Sequence, residues 1–196
     1  LFLVVMSGVA LVAALFGIGY AHGRNASRTA WTAWAGFVLG LQTVALAGDV
    51  AAFLLGWELM ALGSTVLVLT DHASRAASRS AGLWYAAMTH LSFLLVLCGM
   101  GALAAQAGSG DLRELTGHVP PGAGATAAWL LLATGFLTKA GAVPLHVWLP
   151  RAHPEAPSHV SAVMSGAMVN TGIYGLLLLT QQLLPEGPRW WGVALL

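Results

Sequence analysis

Residues 31–70 read WTAWAGFVLGLQTVALAGDVAAFLLGWELMALGSTVLVLT, with Asp49 and Glu58 as the only charged side chains. As a single helix rising 1.5 Å per residue, this stretch would reach about 60 Å. A bilayer core of about 30 Å takes about 20 apolar residues. Gly48 and Asp49 supply the one turn signal, so the stretch must double back as a helical hairpin of two spans, 31–48 and 50–70.

The rest of the chain agrees with a membrane setting. Of 196 residues, 8 are Lys or Arg and 7 are Asp or Glu, so 8% are charged and 58% are hydrophobic. Soluble domains carry about 25% charged residues, and so few charges cannot clothe a water-facing surface. The net charge of +1 offers no basic patch for nucleic acid. Further apolar runs at 1–21, 81–106, 125–148 and 157–184 bring the expected spans to six, and 190–196 opens a seventh. The fold class is therefore all-α, a polytopic transmembrane helical bundle. Because these runs are apolar all round, periodicity does not say which faces meet lipid. No internal repeat is evident. The single cysteine, Cys98, excludes an intrachain disulfide. The chain opens at Leu1 and closes at Leu196 inside apolar runs, and it reads as a piece of a longer protein truncated at both ends.

Arginines mark the connections. Arg24 and Arg28 fall in the first, Arg75 and Arg79 in the third and Arg151 in the fifth; only Arg113 and Arg189 fall in even ones. The positive-inside rule then puts the odd connections in the cytoplasm and residue 1 on the outer side. The connection 107–124 holds Gly108, Gly110, Pro120, Pro121, Gly122 and Gly124. It is expected to be an exposed, irregular loop with a short helix at Asp111–Leu115.

Two ionisable residues stand inside spans, Glu58 and Lys139, the latter being the only lysine. Such residues cost roughly 2.5–3.5 kcal/mol each to insert and face a partner or a wet cavity. They predict a proton or ion path; a buried ion pair locking two helices is the plainer alternative. Pro144, five residues after Lys139, is expected to break the helix just past the lysine, at about 139–150, and broken helices recur at ion sites. Of seven histidines, His22, His72 and His118 fall in connections and read as solvated. His146, His153 and His159 cluster among Pro150, Pro154 and Pro157, and His90 is mid-span. No set of three or four converging ligands suggests zinc, only His90 is clearly placed for a haem, and neither metal nor cofactor is expected. Histidine as a proton carrier suits His90 and His159 better. His159, Val163, Gly166, Asn170 and Tyr174 share one helix face, a stripe suited to a water chain or simply to close packing. Ser158 beside His159 lacks the third group of a catalytic triad.

The stretch Lys139-Ala140-Gly141-Ala142-Val143-Pro144-Leu145-His146-Val147-Trp148-Leu149-Pro150-Arg151-Ala152-His153, followed by Ala156-Pro157-Ser158-His159-Val160-Ser161-Ala162, resembles the signature of antiporter-like membrane subunits. These occur in respiratory complex I, in multisubunit sodium/proton antiporters, and in membrane-bound hydrogenases and formate hydrogenlyases. Trp57-Glu58-Leu59-Met60 is similar to that family's glutamate helix, so residues of about 50–180 carry the likeness. The wording from Ser158 to Gly166 most resembles the hydrogenase-4 and formate hydrogenlyase branch. The resemblance implies that Glu58 pairs with Lys139. Protons then pass to the next helix, in a subunit of about fourteen helices built from two inverted repeats. That branch usually has lysine where Asn170 stands, and an amide cannot hold a proton at neutral pH.

The combined expectation is a partial antiporter-like transmembrane domain over 1–196. It belongs to a proton-translocating subunit of a redox-driven complex in the inner (cytoplasmic) membrane. The proton path runs through Glu58, Lys139, His90, His159 and Asn170, with the helix break at Pro144. Such a subunit carries no cofactor of its own; its partners are other membrane subunits, a peripheral redox arm and the lipid bilayer. Two rival readings stay open: a redox-free sodium/proton antiporter subunit, and a non-conducting structural subunit.

Overall fold

The structure, a computed structural model, describes residues 1–21, 27–70, 76–116, 119–120 and 122–195, without the side chains of Tyr20 and Ala21. The histidines His22, His72 and His118 and the arginines Arg24 and Arg75 lie outside these residues. Six helical spans are long and apolar enough to cross a membrane, and no strand occurs among the described residues. They are α1 (Phe2–Ala21), α2 (Arg28–Leu46), α3 (Val50–Val68), α4 (Ala76–Ala107), a broken span that begins with α6 (Ala123–Ala140), and one that begins with α8 (Ser158–Val163). A four-residue α5 (Leu112–Leu115) lies between α4 and α6.

The hairpin expected over 31–70 is α2 and α3. Asp49 caps α3, its carboxylate accepting from the Ala52 amide at 2.8 Å, and neutralises one of the orphan donors every helix start carries. The two helices approach closely because glycines line their contact. A Cβ at Gly40 would strike the backbone of Met60, one at Gly56 would meet Thr43 and Val44, and one at Gly63 would meet Phe37 and Ala33. Small residues let helix backbones close up in lipid, where packing rather than water exclusion holds helices together.

Helix α4 packs on α3 and on α6, and α6 packs on α9 (Val169–Leu178). Gly172 of α9 lies against the backbone of Phe136 and Ala140. Between α8 and α9, Met164–Met168 forms a π-helical turn. Helix α1 runs antiparallel to α8 and α9: Gly17 faces the His159 ring, Val9 faces Gly166, and the Phe2 and Tyr174 rings sit 5.3 Å apart. Phe53, Trp57, Phe136, Tyr85 and Lys139 fill the fully buried centre.

Two expectations need correction. Arg28 and Arg79 are helical, Arg28 opening α2 and Arg79 lying in the first turn of a 32-residue α4. At 1.5 Å per residue α4 runs about 48 Å, so its ends stand beyond the apolar core. The loop after α4 is not simply exposed. Its chain pairs with the α2–α3 turn, the Val50 amide donating to Gly110 at 2.9 Å and the Leu112 amide to Gly48 at 3.0 Å, while Leu115 is fully buried. Apolar side chains at Leu112, Leu115 and Val119 draw the loop onto the bundle.

The helix breaks just past Lys139, as expected, and does so before Pro144 is reached. Helix α6 stops at Ala140, and Gly141 takes a left-handed conformation with φ of 69°. The Ala142 amide donates to Leu137 and the Gly141 amide to Thr138, the double closure of a Schellman cap. Pro144 has no amide hydrogen to give the Ala140 carbonyl, so the helix cannot continue through it, and glycine ends the helix first. A cis Val143–Pro144 peptide, a 3-10 turn (Leu145–Trp148) and α7 (Leu149–Glu155) follow.

Candidate functional site

Lys139 occupies the last turn of α6 and is 1% exposed. Its ammonium donates to the Thr89 hydroxyl of α4 at 2.7 Å and lies 5.9 Å from the centre of the Tyr85 ring. The Trp148 ring packs edge-on against Tyr85 at 5.3 Å. Its indole N–H donates to the Thr138 carbonyl at 2.9 Å, which also accepts from the Gly141 amide. After the break the chain thus returns through Trp148 to pack on Tyr85, whose ring lies beside the ammonium.

Glu58 is not in ion-pair contact with Lys139. Its Oε1 lies 3.2 Å from Nε2 of His90, and its Oε2 is buried without a hydrogen-bond partner. His90 Nδ1 is 2.8 Å from the Ala86 carbonyl, one turn back on α4, so the ring is held in place to face the carboxylate. Lys139 and Glu58 therefore touch consecutive residues of one helix, Thr89 and His90. The side chains of His90 and Glu58 are 36% and 25% exposed, in contrast to the sealed lysine.

The remaining candidates lie elsewhere. The His159 ring rests 5.2 Å from the Trp34 ring and 6.3 Å from that of Trp31, against Gly17. The Asn170 amide donates back to Gly166 of its own helix at 2.9 Å. The stripe His159–Gly166–Tyr174 is the face that α1 covers. Toward Lys139, α8 and α9 instead present Met168, Thr171 and the glycines: the Thr171 hydroxyl donates to the Met168 carbonyl at 2.6 Å and lies 3.7 Å from the Met60 sulfur. His153 Nδ1 is 2.8 Å from the Ser161 hydroxyl. Among the described residues no three His, Cys, Asp or Glu side chains converge as metal ligands would.

Sequence reading passed over Thr89, Tyr85 and Ser64. Tyr85 is fully buried, its hydroxyl 2.7 Å from Ser64 of α3 and 3.1 Å from the Met168 sulfur. The signal was present: Ser78, Tyr85, Thr89 and Ser92 follow i, i+7, i+11, i+14 spacing, one polar stripe along an otherwise apolar helix.

The buried lysine thus sits beside a broken helix, with a carboxylate of α3 held at the next residue of α4. The family model described as NADH:quinone oxidoreductase/Mrp antiporter, TM, matches residues 47–195. The chain belongs to this family. It is 38% identical over 160 residues to hydrogenase-4 component B of Escherichia coli (strain K12), covering 80% of the chain and 23% of that protein. It is 51% identical over 195 residues to an uncharacterized protein of Mycobacterium tuberculosis (strain ATCC 25618 / H37Rv), covering 100% of the chain and 30% of that protein. The chain thus spans less than a third of these relatives. The structure of the Mrp complex from Dietzia sp. DQ12-45-1b superposes with a TM-score of 0.78 at 21% identity, over 93% of this chain and 35% of that one; this likeness concerns the fold.

Proposed function

We propose that this domain works within a proton-translocating membrane subunit of a redox-driven complex, of hydrogenase, formate hydrogenlyase or NADH:quinone oxidoreductase type. The observation that carries the reading is Lys139: an ammonium 1% exposed, held by one hydroxyl, one residue before its helix ends. Burying such a charge is costly, and purely structural packing has no need of it. Lys139 is the carrier that takes up and releases the proton. Glu58, held by His90, sets how readily it does so, since a nearby opposite charge favours the protonated amine. His159 and Asn170 belong to a second face, the one that α1 covers.

The identity to hydrogenase-4 component B favours the redox-driven reading over a redox-free sodium/proton antiporter. Other membrane subunits and a peripheral redox arm are the partners this reading requires. The host is the cytoplasmic membrane, with the odd connections inside and residue 1 outside. Two features support that orientation: the α2–α3 turn and the α4–α6 loop dock together at one end, and the Arg151 guanidinium lies 4.6 Å from the Trp84 ring near the start of α4, at the other.

The test is to purify the full-length subunit with whatever accompanies it in mild detergent and to measure iron, nickel and flavin. Stoichiometric redox centres are the expected result. A colourless assembly that dissipates a pH gradient on adding sodium would replace this reading with the antiporter.

A further inference from the structure

Lys139 carries its charge without a carboxylate in contact. Among the described residues the Thr89 hydroxyl is the one hydrogen-bond acceptor its ammonium meets, and the Glu58 carboxylate lies against His90 instead. What else faces the ammonium is an aromatic ring: the nitrogen stands over Tyr85, 5.9 Å from the ring's centre. The face of such a ring is its negative side. A cation within about 6 Å of the ring's centre is drawn to that face, and the attraction grows when both are out of water. Tyr85 and Lys139 are each 1% exposed.

The ring is fixed from several elements at once. Its hydroxyl is 2.7 Å from the Ser64 hydroxyl of α3 and 3.1 Å from the sulfur of Met168, in the π-helical turn between α8 and α9. The Trp148 ring, from the segment after the helix break, lies against it at 5.3 Å. Any large apolar side chain would fill this space; a ring anchored through its hydroxyl also keeps a set plane.

We infer that Tyr85 is a positioning residue for proton transfer: its aromatic face, aligned by Ser64, Met168 and Trp148, favours the protonated state of Lys139. The inference rests on Lys139 being the carrier. A carboxylate in contact would bind the ammonium strongly in so buried a pocket and hinder release of the proton. A neutral ring attracts the charged amine and has no such hold on the neutral one, so it aids uptake and leaves release possible. Tyr85 takes no proton itself. Roles therefore divide along α4: Thr89 holds the ammonium in place, Tyr85 supports its charge, and His90 meets the Glu58 carboxylate.

The test replaces Tyr85 in the full-length protein by phenylalanine and then by mono-, di- and trifluorinated phenylalanine. Fluorine drains negative charge from the ring's face and changes its shape little. Protons moved per electron are measured in inverted vesicles holding the assembled complex, energised in turn with NADH, formate and hydrogen. The same series at Phe53, a buried ring that packs on Trp57 and Phe136, is the control for packing. The expected result is a stepwise fall with each fluorine at position 85, reaching about tenfold below Tyr85→Phe in the trifluorinated variant, and a flat series at Phe53. A flat series at position 85, while Lys139→Ala abolishes movement, would overturn the role of the ring and spare the carrier. A collapse at Tyr85→Phe with no further fall on fluorination would overturn it in favour of the hydroxyl's anchors. Parallel falls at positions 85 and 53 would overturn it in favour of packing. Parent behaviour in Lys139→Ala would remove the carrier, and the ring's role with it.

Discussion

Lys139 is held by Thr89, not by Glu58: its ammonium donates to the threonine hydroxyl at 2.7 Å, while the carboxylate is taken by His90, the next residue along α4. The two groups thus contact neighbouring positions of one helix, about 100° apart around its axis. On the proposed function, a shift of α4 would change both contacts at once.

The His90 contact makes a prediction. His90→Ala removes the imidazole that contacts the Glu58 carboxylate at 3.2 Å. Proton movement per electron should drop several-fold while the complex still assembles, and a vesicle assay of the full-length variant reads both. An unchanged ratio would show that the His90–Glu58 contact is idle.

The hairpin contact makes another. Gly63→Val would force a side chain into the backbone of Ala33 and Phe37, and overpacking of this kind costs about 1–3 kcal/mol or more. Gly8 and Gly101 have nothing within 4 Å of an added Cβ, so valine there should be tolerated. Thermal unfolding in detergent of the three variants should show a lowered midpoint for Gly63→Val alone.

Trp148 supplies a third prediction, on the helix break. Trp148→Phe keeps most of the ring packing and deletes the donor to the Thr138 carbonyl. The Thr138 carbonyl keeps its bond from the Gly141 amide, so the loss is that of one hydrogen bond, about 0.5–1.5 kcal/mol. The detergent midpoint should fall, and the broken segment after Ala140 should show faster amide exchange than in the parent.

The docked loop supplies a fourth. Leu115 is fully buried where the loop returns to the α2–α3 turn, so Leu115→Ala should cost about 2–5 kcal/mol. Exposed Arg113, two residues earlier, should accept alanine with little effect. Limited proteolysis of the loop after α4 separates the two, cutting the leucine variant first.

The hairpin was legible because forty residues with one turn signal admit no other membrane solution. Glu58 and Lys139 were legible because a lone charge inside an apolar run is costly wherever it lies. What could not be read was which helices meet. The stripe of His159, Gly166 and Tyr174 looked suited to water, yet α1 lies over it, and only the antiparallel match of Gly17 to His159 and Phe2 to Tyr174 shows this. Thr89 and Tyr85 looked like filler between apolar residues until α6 brought Lys139 beside them. The break falls just past Lys139, where it was legible, and its local cause is Gly141: a glycine able to adopt positive φ ends the helix before the proline has to.

The most direct measurement is proton movement per electron in the assembled full-length complex carrying Lys139→Ala. The account predicts electron transfer that continues with proton movement abolished, because Lys139 is the proposed central carrier. An assembled variant that moves protons at the parent ratio would contradict it.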